Sequence, residues 1–235
     1  MKFQPTLKAL VFLACLVPLA RLAWSGYTNQ LGANPIEFIT RSTGTWTLVF
    51  LLITLGITPL RKLAGWPWLI KFRRMLGLYA FFYVCLHFTT YIWLDQFFDP
   101  QTIYKDVLKR PFITIGFTAF LLLIPLALTS TNAMVKRLGG KRWQQLHRLV
   151  YVIAIFGVIH YWWLVKKDIT QPVIYGMVLA VLLGYRILVW LKKAKDSSSS
   201  ITVAQKHREI SAIKRGNALP ISQKKSLLEP SQPNY

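Results

Sequence analysis

The sequence has few acidic residues and very few cysteines. Eight Asp and Glu stand against 29 Lys and Arg among 235 residues, and there are two cysteines. The isolated thiols of Cys15 and Cys85 cannot build a four-cysteine iron–sulfur site, and the C-x-x-C-H motif that attaches c-type haem does not occur. The apolar runs also contain almost no carboxylates, which a proton-relay transporter uses inside the bilayer. The sequence therefore argues against a four-cysteine iron–sulfur cluster, covalently attached c-type haem and a proton-relay transporter.

Long apolar runs dominate the rest of the sequence. Hydrophobic residues make up 54% of the chain and charged residues 16%, whereas a soluble domain has about 25% charged residues. A transmembrane helix needs about 20 apolar residues, and six runs approach that length. They cover residues 7–24, 45–60, 75–94, 112–129, 146–165 and 173–191. The sequence therefore predicts an all-α membrane protein with a bundle of six transmembrane helices.

The net charge of +21 raises the question of nucleic-acid binding, which we do not expect. The basic residues fall between apolar runs rather than on one soluble face. Nine Lys and Arg lie in the loops after spans two and four, against six in the opposite loops. The basic N-terminus and tail strengthen this bias. By the positive-inside rule, both termini are predicted to be cytoplasmic.

The C-terminal tail differs in composition from the six runs. From Asp196 and the four serines that follow it, the chain is polar and basic to its end, and it has few aromatic residues. Residues 193–235 are therefore predicted to form a disordered cytoplasmic tail. Its basic residues either contact anionic lipid headgroups or are solvated without a role. His207 lies in this tail and is interpreted as solvated.

Three histidines fall within the apolar spans: His87 in span three, and His147 and His160 in span five. Ionisable side chains at membrane depth usually face the bundle interior and serve a function. Neutral imidazole is a common haem ligand. Zinc usually needs three or four clustered ligands, which histidines at two levels do not supply. Haem ligation is the favoured interpretation, with structural histidines and metal or proton transport as the alternatives.

The rise of an α-helix gives the depth of each histidine. His87 lies about 18 Å into span three, and His160 lies about 19.5 Å beyond His147. Spans three and five run in the same direction, so His87 and His160 are predicted to face each other in the outer half of the membrane. His147 lies near the cytoplasmic edge, level with Arg73 and Arg74. Because the two span-five histidines are about 140° apart around an ideal helix, either that helix is distorted near Gly157 or they approach different partners.

Five segments resemble a known family. The chain resembles the haem-binding membrane subunits of the bacterial periplasmic protein-methionine-sulfoxide reductase system, in the ferric-reductase-like transmembrane superfamily. The likeness runs from about residue 8 to 192, so 1–192 is interpreted as the haem-binding transmembrane domain. The segments are LGANPIEFITRSTGTW (31–46), ITPLRKL (57–63), RRMLGLYAFFYVCLHFTTY (73–91), KRPFITIGF (109–117) and LALTSTNAMVKRLGGKRWQQLHRLVYVIAIFGVIHYWW (126–163).

The resemblance implies cofactors and partners. Family members carry b-type haem on histidines that match His87, His147 and His160, and FMN has been associated with arginines that match Arg73 and Arg74. They are multi-pass proteins of the bacterial inner membrane that pass electrons to a periplasmic molybdopterin-containing reductase, which repairs oxidised methionines. The chain is thus expected to be an electron-transfer subunit rather than the catalytic one. Arg73 and Arg74 are otherwise positive-inside anchors.

The sequence departs from the wider superfamily in span three. A second histidine pair would place a histidine 14 residues before His87, where Arg73 stands. One haem is therefore expected, and a second on His147 stays open. About 44 residues follow span six, too few for a flavin–nicotinamide domain, so the expected donor is a separate cytoplasmic flavin reductase or a quinol. The alternatives are a metal reductase or oxidase-type enzyme that acts directly on its acceptor, and a transporter without haem.

Overall fold

All regular secondary structure in the described part of the chain is helical. The computed structural model describes residues 3–165 and 167–214, and six of its helical segments are long and apolar enough to cross a membrane. This confirms the predicted all-α architecture with six candidate transmembrane helices. The helices are α1 (Phe3–Tyr27), α2 (Pro35–Leu63), α3 (Ile70–Thr90), α4 (Pro100–Lys109), α5 (Pro111–Leu128), α6 (Asn132–Leu138), α7 (Gly140–Leu146), α8 (Leu149–Leu164) and α9 (Thr170–Lys214).

Helix α2 begins ten residues before the predicted start of the second span at residue 45. Asn34 caps the helix, since its side chain accepts a hydrogen bond from the Glu37 N–H at 3.2 Å. Pro35 occupies the first helical position, where its missing N–H costs nothing. The added turns mix apolar residues with Glu37, Arg41 and hydroxyl side chains, so a search for continuous apolar runs does not find them. They bring Thr40, Arg41 and other residues before position 45 into the bundle.

Helix α9 continues well past the predicted end of the sixth span at residue 191. It extends to Lys214, so the described part of the predicted disordered tail is helical. Residues 192–214 contain neither Gly nor Pro, and the Lys, Ala, Gln, Arg and Glu among them favour helix. Residues 215–235 of the predicted tail lie outside the described residues. The compact unit of the spans ends at Tyr185, and Arg186 begins a second unit.

Two helix pairs form the core of the first unit. Helix α2 packs most extensively against α3, and α5 packs most extensively against α8. Leu55, Ala80 and Ala154 are fully buried in the interior that results. The contacts of α2 with α8 and of α3 with α5 are much smaller. The bundle is therefore two tight pairs with a looser seam between them, and the candidate site lies in that seam.

Helix α1 is attached to α3 through tyrosine hydroxyls. Pro18 interrupts α1, and a proline within a helix disrupts the hydrogen-bond ladder around it. The Tyr83 hydroxyl accepts from the Leu19 N–H at 3.1 Å and donates to the Cys15 carbonyl at 2.9 Å. In a regular helix the Leu19 N–H would donate directly to the Cys15 carbonyl. The Tyr83 hydroxyl therefore bridges these two groups beside Pro18, and its side chain is only 1% exposed.

Candidate functional site

An apolar cavity of about 290 Å³ occupies the seam between the two helix pairs. Helices α2, α3, α5 and α8 supply its walls, and Ile103 and Val107 of α4 line it as well. His87 and His160 are the two histidines on its surface. We call this space the histidine cavity. Its walls are otherwise mainly aliphatic and aromatic, which is the setting that bound prosthetic groups usually have.

The His87 ring is held by helix α2. Its Nδ1 lies 2.9 Å from the Thr40 carbonyl oxygen. A Cβ built on Gly44 would lie 3.0 Å from Nδ1 and from Cε1 of the same ring. In a helix the carbonyl of one residue lies next to the residue four positions later. Glycine at position 44 therefore leaves the Thr40 carbonyl open to an imidazole that approaches from the side.

His160 repeats this arrangement on helix α5. Its Nδ1 lies 2.6 Å from the Phe112 carbonyl oxygen. A Cβ on Gly116, again four residues after the carbonyl, would lie 2.6 Å from that nitrogen, a separation that real Cβ atoms do not show. Each helix pair thus contains one histidine that hydrogen-bonds to its partner helix beside a glycine. Since a carbonyl oxygen only accepts, Nδ1 carries the proton in both rings and Nε2 keeps its lone pair.

The two rings face each other across the histidine cavity. Their centroids are 6.2 Å apart and their planes are inclined by 80°. Imidazole nitrogens bind first-row metals at about 2.0 to 2.1 Å, so two opposed ligands have nitrogens about 4 Å apart and ring centres about 6 Å apart. The observed separation matches that requirement. The backbone hydrogen bonds on Nδ1 are also the outer contacts that metal-bound histidines generally have. His87 and His160 are therefore the residues that would hold a haem group in this cavity.

Charged side chains occur at one end of the histidine cavity. Arg41 and Arg110 both line it. Arg41 pairs with Glu37 at 2.6 Å, and Arg110 pairs with Asp106 at 3.2 Å. Tyr91 also lines the cavity, and its hydroxyl donates to Asp106 at 3.4 Å. Asp95 lines the cavity as well, so this end of an otherwise apolar cavity contains charges of both signs.

Helix α4 covers part of the charged end of the histidine cavity, and Asp99 caps its N-terminus. The Thr102 hydroxyl and the Gln101 N–H donate to the Asp99 carboxylate at 2.5 Å and 3.0 Å. Both hydrogen bonds lower the pKa of Asp99 below its ordinary value, and the bond from Thr102 has the larger effect. Ile103 and Val107 are one turn apart and both face the cavity. The cap thus sets the start of a short amphipathic helix whose apolar side covers the cavity.

His147 lies outside the histidine cavity. It ends α7, two residues before α8 begins, so the interruption in the fifth span is at positions 147 and 148 rather than near Gly157. Its Nδ1 lies 3.1 Å from the Trp143 carbonyl oxygen, and its ring stacks on the Trp143 indole at 3.9 Å. Nε2 is buried without a hydrogen bond, although the Leu126 carbonyl is nearby. The two span-five histidines therefore have different partners, as one predicted alternative requires.

Arg73 and Arg74 lie at the level of His147. Both are close enough to its ring for electrostatic interaction. Arg74 Nη1 donates to Asn132 Oδ1 at 2.5 Å, and Trp143 Nε1 donates to the Thr129 carbonyl at 2.9 Å. These contacts join the starts of α3 and α6 with α7. The structure thus brings the two predicted arginines together with His147.

The structure brings the predicted site residues together at two separate places, the histidine cavity and the cluster around His147. In residues 3–165 and 167–214, no three His, Cys, Asp or Glu side chains converge on a point that could hold a metal ion. The sequence analysis missed the supporting groups, above all Gly44, Gly116 and the two arginines of the cavity. A glycine inside an apolar helix is a usable signal, but it does not say which side chain occupies the space.

Comparisons with known proteins agree with this architecture. Residues 9–158 match the family model described as ferric reductase like transmembrane component. A protein from Herminiimonas arsenicoxydans is 61% identical over 207 residues, which are 84% of this chain and 95% of the relative. A protein from Azospira oryzae is 57% identical over 80% of this chain and 84% of its own length. A third, from Rhodospirillum rubrum, is 52% identical over 79% of this chain and 89% of its own.

All three relatives carry the name protein-methionine-sulfoxide reductase heme-binding subunit MsrQ. Sequence identity above 50% over most of both chains means that this chain and these relatives share one fold. The chain belongs to the MsrQ family of methionine-sulfoxide reductase membrane subunits, within the ferric-reductase-like transmembrane proteins.

Proposed function

We propose that the chain binds b-type haem between His87 and His160 and relays electrons across the bacterial inner membrane. The acceptor is a periplasmic molybdopterin-containing reductase that repairs methionine sulfoxide in proteins. The observation that carries this proposal is the pair of imidazoles, 6.2 Å apart, whose Nδ1 atoms both hydrogen-bond to backbone carbonyls. When bound, haem supplies an iron that cycles between the ferric and ferrous states and so passes single electrons.

The protein's own contribution is to hold, orient and shield this group. The Thr40 and Phe112 carbonyls fix both imidazoles with Nε2 as the ligating atom. Arg41 and Arg110, at the charged end of the histidine cavity, each pair with one carboxylate of the chain, and their remaining N–H donors would hold the haem propionates. The apolar walls exclude water, which would otherwise change the haem potential. These roles require no general base or nucleophile in this chain, so it acts as the electron-transfer subunit.

The charge bias of the loops supports a topology with both termini in the cytoplasm. In that topology His147, Arg73 and Arg74 lie on the cytoplasmic side, where electrons enter, and the end with Arg41 and Arg110 faces the periplasm. The donor is a separate cytoplasmic flavin reductase or a membrane quinol. Arg73 and Arg74 are the proposed contacts for the phosphate of FMN. His147 is the candidate ligand at this level, since its Nε2 is buried beside the Leu126 carbonyl without a well-formed hydrogen bond, and one haem or two are left open.

A competing function is direct reduction of a soluble acceptor, as in a metal reductase or oxidase-type enzyme. The apolar cover that α4 gives the histidine cavity favours a relay, because a hydrated metal ion gains little from an apolar surface. The relatives are also named as subunits of a reductase rather than as complete enzymes.

The relay is tested with the full chain in membrane vesicles, after chemical reduction of its haem. We expect fast reoxidation when the periplasmic reductase and methionine sulfoxide are both added, because the partner provides the exit for electrons. Omission of either is the control. Equally fast reoxidation by a ferric chelate without the partner would contradict the relay. Reduction by NADPH alone, without an added flavoprotein, would contradict the proposed separate donor.

Histidine substitutions separate the two levels of the site. His87→Ala and His160→Ala should each abolish haem binding in the histidine cavity, since a single imidazole remains. His147→Ala should leave that haem bound, because His147 does not line the cavity. His207→Ala, in the exposed part of α9, is the matched control. The haem-to-protein ratio of each purified variant is the measurement, and equal loss in all three span variants would refute the two-level arrangement.

Gly116→Ala tests the support of His160. The new Cβ would lie 2.6 Å from Nδ1, so the ring must leave the Phe112 carbonyl. We expect a reduced haem content and an altered low-spin spectrum. Gly56→Ala is the control, because a Cβ at that position of α2 has no atom within 4 Å. Alanine favours helix over glycine by about 1 kcal/mol, so neither change weakens its helix. An unchanged spectrum in Gly116→Ala would show that the glycine does not position the ligand.

A further inference from the structure

A second large concave surface lies between α1 and α3. It is a groove of about 1400 Å³, far larger than the about 30 Å³ that a water molecule needs. We call it the α1–α3 groove. Its walls are apolar along most of their length, with Leu78 40%, Phe82 37% and Phe12 48% exposed. It is separate from the histidine cavity, since the two share no lining residue.

Three cations are gathered at one end of the groove. Lys8, Lys71 and Arg74 all line it, and no acidic side chain does among the described residues. Lys8 comes from α1, whereas Lys71 and Arg74 lie one turn apart at the start of α3. All three residues are exposed. Arg74 donates one hydrogen bond to Asn132. Since a guanidinium has five N–H donors, Arg74 can donate to a second group as well.

The packing of α1 on α3 sets the relative depth of these cations. Phe12 and Tyr79 are at one level, because the Tyr79 hydroxyl donates to the Phe12 carbonyl at 3.0 Å and their rings are 5.4 Å apart. Both helices run in the same direction. Lys8, four residues before Phe12, is therefore level with Met75, four residues before Tyr79. All three cations thus lie within about 6 Å of depth, which is one helical turn.

The length of the groove matches one leaflet of a bilayer. From Lys71 to Phe82 the α3 wall spans about 16 Å at the rise of an α-helix, and half of the hydrocarbon core is about 15 Å. The groove ends where Tyr83 joins α3 to α1 at the Pro18 interruption. A cationic end followed by one leaflet's depth of apolar wall is complementary to an anionic phospholipid, with its phosphate at the cations and an acyl chain along the wall.

We infer that the α1–α3 groove binds an anionic phospholipid, with Lys8, Lys71 and Arg74 at the headgroup phosphate. Basic pockets between transmembrane helices recognise such headgroups. The lipid would fill the gap beside α1, which contributes few buried residues to the bundle. The charge at the headgroup end excludes zwitterionic lipids as the preferred occupant, and the length of the apolar wall excludes free phosphate.

The test uses the full chain in nanodiscs that contain equal amounts of phosphatidylglycerol and phosphatidylethanolamine, followed by extraction into detergent. Mass spectrometry then measures the phospholipid that each protein retains. The unaltered chain should retain phosphatidylglycerol in preference. The Lys8→Gln/Lys71→Gln double variant should retain about 10- to 30-fold less, since each cation near an anionic lipid contributes about 1 kcal/mol.

Two further variants and one competition make the test specific. Leu78→Trp fills the apolar wall with all cations intact, and it should also lose the lipid. Lys136→Gln/Lys141→Gln removes the same charge from α6 and α7 outside the groove, and it should retain the lipid. Inorganic phosphate should not displace it.

Several results would overturn the inference. They are equal retention of both phospholipids, equal loss in the Lys136/Lys141 control, full retention in Leu78→Trp, displacement by phosphate, or retention of an isoprenoid quinone in place of phospholipid. The measurement does not involve haem or electron transfer, and the variants leave Arg74, the residue shared with the proposed flavin contact, unchanged, so failure of this inference and failure of the proposed function are distinguishable.

Discussion

The candidate site depends on one interaction that occurs twice. In each case an imidazole donates a hydrogen bond to a backbone carbonyl that also accepts the regular hydrogen bond of its own helix. Such a carbonyl has a second lone pair, but the side chain four residues later normally covers it. Gly44 and Gly116 remove that cover. In this way His87 is tied to α2 and His160 to α5. Each tie also joins the two helices of one pair, so the contacts that orient the ligands are the contacts that hold the pairs together.

This arrangement explains why the cavity lies where it does. Each helix pair packs extensively and has its own histidine hydrogen bond inside it, whereas the seam between pairs has fewer contacts. The His87 and His160 rings line the cavity in that seam, with their centroids 6.2 Å apart. The apolar lining of the seam is consistent with a prosthetic group as part of the interior.

Much of this was predictable from sequence, for definite physical reasons. Six apolar runs and a fixed helical rise give the number of spans and put His87 and His160 at one depth. The start of α2 at Pro35 was missed because its first turns mix apolar and polar residues, although Asn34 and Pro35 are a recognisable helix start. The helical continuation of α9 was missed because polarity was interpreted as disorder, while those residues have adequate helix propensity. The Gly44 and Gly116 roles could not be predicted, since they depend on which helices become neighbours.

The surroundings of His147 differ in polarity from those of the histidine cavity. Its ring is stacked on Trp143 and lies near two arginines, and no second histidine faces it among the described residues. This polar and cationic environment differs from the apolar environment of the His87 and His160 pair, which lines the histidine cavity.

The most direct test of the account is the electron paramagnetic resonance spectrum of the oxidised, haem-loaded protein. Two imidazole ligands would make ferric haem low-spin, and loss of either ligand would abolish that state. The account predicts a low-spin signal that disappears in His87→Ala and in His160→Ala. A high-spin spectrum, or a low-spin signal that survives both substitutions, would contradict ligation by this pair.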